Sequence, residues 1–169
     1  MEISNELLQT MSMLFAIITI FALINYIFVS LALYKIAKKE NVDNPWLSWI
    51  PIGNSYILIK LGKGNMIFIF PLIIAMFTSG IIREVSMAIY VVYSVYMYYK
   101  ICDRYEISFI PIAIGSSALV IGLFPGLIGL TIPVYLIGVY GQWKLYKGAA
   151  NGPVNKRKIT TKVTNKKKK

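Results

Sequence analysis

The chain has no histidine, one cysteine, and only seven Asp and Glu among its 169 residues. Without histidine it lacks the commonest general base, the commonest metal ligand and the usual pH switch. A single cysteine, Cys102, excludes an intramolecular disulfide and leaves a cysteine-based metal cluster without ligands. Charge itself is missing over long distances. The blocks 11–33, 65–99 and 107–143 contain almost no ionisable residue. A soluble core of this size cannot absorb all three, whereas hydrocarbon can, so the absences point to a membrane-embedded chain.

What is present is positive charge, and it is concentrated. Residues 144–169 hold ten of the eighteen Lys and Arg and no acid. The rest of the chain carries eight bases against seven acids, so the formal net charge of +11 belongs to the tail. Lys156, Arg157, Lys158, Lys166, Lys167, Lys168 and Lys169 are its main cations. Residues 148–169 offer no aromatic ring to stack on bases, which argues against nucleic acid as partner. Attraction to anionic lipid headgroups suits them better, at about 1 kcal/mol per charge near the surface. Asn151-Gly152-Pro153 opens the segment with turn formers, so 148–169 reads as a disordered cytoplasmic tail.

The expected fold is all-α, a polytopic transmembrane bundle in residues 1–147. Its spans are expected at 11–33, 65–82, 85–99, 108–124 and 126–143. Block 65–99 exceeds one crossing and contains Arg83 and Glu84, which are expected to form an external turn near Gly80. Phe124-Pro125-Gly126 supplies a second turn. Bases follow the first span and none precedes it, so the N-terminus is expected outside and the C-terminus in the cytoplasm. A four-span version, with the last block as one kinked helix, would put the tail outside. The start of the chain has no basic n-region and reads as a retained span rather than a cleaved signal.

Residues 45–64 are apolar over too short a length to span. Trp46 and Trp49 stand at the entrance, Pro51 interrupts, and Lys60 and Lys63 stand at the exit. An interfacial or re-entrant helix fits them, with the tryptophans at headgroup depth and the lysines snorkelling. Pro51 removes a backbone donor, which Asn54 is placed to replace, while Tyr56 adds a further interfacial anchor. Ile50-Pro51-Ile52 recurs as Ile110-Pro111-Ile112, each after a basic stretch that closes an apolar block. A duplication would give the two copies the same orientation.

Trp46, Ile50-Pro51-Ile52, Asn54, Tyr56 and Lys60 together resemble the W-x3-IPI-x-N-x-Y-x3-K signature of a family of small bacterial multi-span membrane proteins of uncharacterised function. In that family a glycine follows the lysine closely, and here Gly62 stands near it. The resemblance implies a membrane fold in a bacterial inner membrane and no activity.

For catalysis the chain offers little, since its acids lie at loops and ends. A serine–lysine pair among Ser48, Ser55 and Lys60 is the one nucleophilic arrangement available. No metal or cofactor is expected. The expected role is non-enzymatic: an accessory protein that binds lipid or a membrane partner, or itself as a homo-oligomer, or an immunity-type protein. The alternatives are a holin-like pore or channel and a small-solute carrier. Cys102 is expected on the cytoplasmic side.

Overall fold

The computed structural model describes residues 5–121 and 128–153, and every regular element among them is helical. Helix α1, Asn5–Lys39, runs for 35 residues without a glycine or proline, about 52 Å at 1.5 Å per residue. Lys38 and Lys39 in its last turn oppose the negative end of the helix dipole. Asn41, at φ 52°, then turns the chain back. A 3-10 turn, Pro45–Trp49, leads into α2, Pro51–Leu61, with Pro51 in its first turn. A second 3-10 turn, Met66–Ile69, is capped by Asn65, whose side chain accepts from the Ile67 amide at 3.0 Å. It feeds α3, Phe70–Phe77. Then come α4, Gly80–Tyr105, α5, Ile110–Ile121, and α6, Ile128–Gly148.

The carboxyl-terminal ends of α1, α2, α4 and α6 meet at one end of the molecule. Helix α6 packs between α1 and α5, and α3 lies antiparallel to α4. The tightest packing is at that shared end, where Leu33, Ile36, Ile57, Ile59, Leu61, Ile101 and Leu145 have no exposed surface. The remainder is apolar outside. Phe15 is 73 % exposed, Phe77 83 % and Ile81 76 %. Among the described residues two helices, α1 and α4, are long and apolar enough to cross a membrane, and little of either is buried within the protein.

Several expectations are corrected. Helix α1 extends past the expected end of the first span at residue 33 to Lys39, so Lys35, Lys38 and Lys39 are part of the helix. The segments 65–82 and 85–99 are not two arms meeting at Arg83 and Glu84. The chain reverses earlier, at Thr78 and Ser79, both extended, followed by Gly80 at φ 62°. Arg83 and Glu84 lie inside α4, at its far end from the basic pole, where a helix end lets charged side chains reach outward. Helix α4 also continues past residue 99 to Tyr105. Helix α3, with 8 residues, is too short for the span expected of it, and two helices among the described residues are of spanning length, so five regular spans are not supported.

The repeated Ile-Pro-Ile opens α2 and α5, but the two helices run in opposite directions. Helix α2 returns to the basic end, where the Leu61 carbonyl meets Arg104. Helix α5 leaves that end, its Gly115 passing Gly138 of α6. The shared motif is a helix-start device, in which proline fixes the first turn, and not the mark of a repeated orientation. The expected turn at Phe124-Pro125-Gly126 and the tail cations Lys156, Arg157, Lys158 and Lys166 to Lys169 lie outside the described residues.

Candidate functional site

Residues 45–64 form a hairpin that enters and leaves the bundle at the same end. At its mouth Lys60 pairs with Asp43 at 3.2 Å. At its tip the Trp49 carbonyl accepts from the Tyr26 hydroxyl at 2.7 Å. Tyr26 lies 13 residues before Lys39 along α1, about 20 Å deeper by helix rise. The segment is therefore re-entrant in the geometry of the bundle. Trp49 stands at its tip rather than at its mouth, and Trp46 and Trp49 are both half exposed on the outside.

Pro51 cannot donate from its nitrogen, and the backbone around it is repaired by a side chain. Asn54 Nδ2 donates to the Ser48 carbonyl at 2.9 Å and to Ser30 Oγ at 3.4 Å, tying the hairpin to α1. Ser55 Oγ and the Tyr90 hydroxyl are 2.5 Å apart, tying it to α4. Gly53 lies where a side chain would collide with the Leu47 carbonyl, so the two legs of the hairpin touch backbone to backbone. Ser48 and Ser55 are buried and Lys60 points to the mouth, so no serine–lysine pair is assembled. Tyr56 receives a hydrogen bond from Lys60 Nζ at 3.2 Å. That bond first, and the Asp43 carboxylate second, raise the Lys60 ammonium above the ordinary lysine value. The ammonium is therefore favoured in the folded chain, and its pairing weakens only as pH rises through that raised value.

Above the mouth the helix ends are closed by cations. Arg104 donates to Glu40 Oε2 at 3.1 Å and to the Leu61 carbonyl, while the Tyr105 hydroxyl donates to Glu40 Oε1 at 3.1 Å. Lys39 Nζ donates to the Ala149 and Ala150 carbonyls at 2.9 and 2.5 Å. Lys100 reaches the Lys63 carbonyl at 3.3 Å. These carbonyls lie at or just past helix ends, where a cation satisfies a lone pair and opposes the dipole. Lys35 lies 3.9 Å over the ring of Tyr146, and Lys147 3.9 Å over that of Trp143. Nine of the ten Lys and Arg among the described residues stand at this end, and only Arg83 stands at the other. Leu31, Tyr34, Lys35, Lys38, Lys39 and Tyr146 line an open groove of about 440 Å³ between α1 and α6 there.

Sequence reasoning singled out Trp46, Trp49, Pro51, Asn54, Tyr56 and Lys60, and the structure brings Asn54 into the buried hairpin and Tyr56 and Lys60 to its mouth. It did not find the Glu40–Arg104–Tyr105 cluster, whose members are 64 and 65 residues apart. Cys102 is 1 % exposed, part of the core and out of reach of a bulky thiol reagent. Among the described residues no group of His, Cys, Asp and Glu is placed to hold a metal. No protein-family model, curated protein or solved structure matches the chain.

Proposed function

We propose that this is a polytopic, non-catalytic membrane protein whose basic end faces the cytoplasm and holds anionic lipid headgroups. The observation that carries the reading is polarity along one axis. An apolar exterior, with Phe15, Phe77, Ile81 and Val92 outward, leads to an end where nine cations face four acids. Hydrocarbon accounts for the first and an anionic leaflet for the second. In this reading the groove of Lys35, Lys38 and Lys39 receives a lipid phosphate, and the polybasic tail adds long-range attraction that salt weakens. The N-terminus is outside and the role is accessory, supporting a membrane partner or the bilayer itself.

Orientation is tested with two introduced thiols in a Cys102→Ala background. Lys38→Cys marks the basic end, and Ser79→Cys the opposite end, both at exposed positions. A membrane-impermeant maleimide added to intact bacteria is expected to label position 79 and to reach position 38 only after permeabilisation. The reverse pattern overturns the orientation. Retention of phosphatidylglycerol over phosphatidylcholine on purification, reduced by high salt, supports the headgroup role. Collapse of membrane potential on expression would instead favour the pore.

A further inference from the structure

Between α1, α2, α4, α5 and α6 lies a cavity of about 270 Å³, away from the basic end. It is polar without being charged: among the described residues no Asp, Glu, Lys or Arg lines it. Asn25, Asn54, Tyr90, Ser94, Ser116 and Gln142 contribute polar groups to its wall. Most of these are already committed. Asn54 donates to Ser48 and Ser30, Tyr90 bonds with Ser55, and Ser94 and Ser116 bond to carbonyls of their own helices at 2.8 and 2.9 Å.

Two acceptors are left over. Among the described residues the amide oxygens of Asn25 and Gln142 are buried with no hydrogen-bond partner, the Gln142 amide meeting the Tyr98 hydroxyl from its nitrogen side, and Gln142 is only 4 % exposed. A buried acceptor without a donor keeps its desolvation cost uncompensated. The two come from facing helices at nearly the same height. A side-chain carbon built on Gly138 would lie 3.5 Å from Asn25 Oδ1, and Gly138 is one helical turn before Gln142 on the same face of α6. Glycine at 138 is what lets α5 approach α6 at Gly115, while Asn25 Oδ1 stands at ordinary contact distance from position 138.

We infer that this cavity binds a small uncharged solute that donates hydrogen bonds, an amide or a polyol, to Asn25 and Gln142. Size and charge both narrow the class. The space equals about nine water volumes, the scale of a small solute. A charged ligand would find no counter-charge in the wall, and an unpaired ion in a low-dielectric site is strongly disfavoured. The assignment goes beyond the lipid-facing role and does not depend on which end faces the cytoplasm.

Acetamide is the probe, followed by saturation-transfer NMR on the full chain in lipid nanodiscs. N,N-dimethylacetamide, which has no donor, and acetate, its charged counterpart, serve as comparisons. Acetamide is expected to give transfer, and each comparison compound at least tenfold less. Asn25→Leu and the near-isosteric Gln142→Met are each expected to weaken acetamide binding about tenfold. The chemical comparison on the unaltered protein stands even if either variant fails to fold. Equal signals from all three compounds, or variants that bind acetamide normally, overturn the assignment. So does the absence of acetamide binding, which would leave the cavity to water alone.

Discussion

The two ends of this molecule are built on different rules. At the basic end, side chains from four helices interlock with no exposed surface, and cations close the helix termini. At the opposite end α1 stands largely uncovered, with Leu8, Met11, Met13 and Phe15 outward, and the chain reverses at Thr78 and Ser79 with little packed over it. In water the second arrangement would leave a continuous apolar surface. In lipid, burial against protein gains little over contact with acyl chains, so tight packing is needed only where polar groups must be satisfied. The contrast teaches where stability resides: in the polar closure and the core beneath it, and not in the long helix that first catches the eye.

Substitutions placed at each end can break or sharpen this contrast. The largest effect is expected at Arg104. Arg104→Ala leaves the Glu40 carboxylate and the Leu61 carbonyl without their cation, a loss of about 3 kcal/mol read as thermal unfolding in detergent. Arg83→Ala at the other end is expected to change stability by no more than about 0.5 kcal/mol. Next is Leu33→Ala, which opens a cavity in the fully buried core and is expected to cost about 2 kcal/mol. Phe15→Ala, on the exposed face of α1, is expected to leave the melting temperature nearly unchanged. Equal losses at positions 33 and 15 would mean that the two ends are packed alike. The third pair lies between α5 and α6. Gly115→Val forces a side chain onto the Gly138 backbone, costing about 1–3 kcal/mol. Gly129→Ala meets open space and is expected to be neutral or slightly stabilising.

Those parts of the fold that rest on local pattern were legible in the sequence. The charge-free block 11–33 announced the first helix but not its extension to Lys39, and Pro51 with its flanking aromatics announced a short, bent segment. The reversal was expected near Gly80 but assigned to Arg83 and Glu84, which look like a loop, whereas Thr78, Ser79 and Gly80 at positive φ make the turn. The cavity was not legible. Asn25 and Gln142 each look like a polar packing residue on an apolar helix, and only the fold sets them facing each other with their amide oxygens unpaired. The seal at the basic end escaped for the same reason, because Glu40 and Arg104 meet only after three helices have been placed.

The hairpin of residues 45–64 also has a consequence for biogenesis. Its polar contacts with α4 run to Tyr90 and Arg104, up to 43 residues later in the chain. During synthesis it therefore leaves the ribosome before the helix that covers it exists. Its contacts with α1 can form early, but those with α4 must wait until residues 65–105 have been made, so the hairpin reaches its final packing only after them.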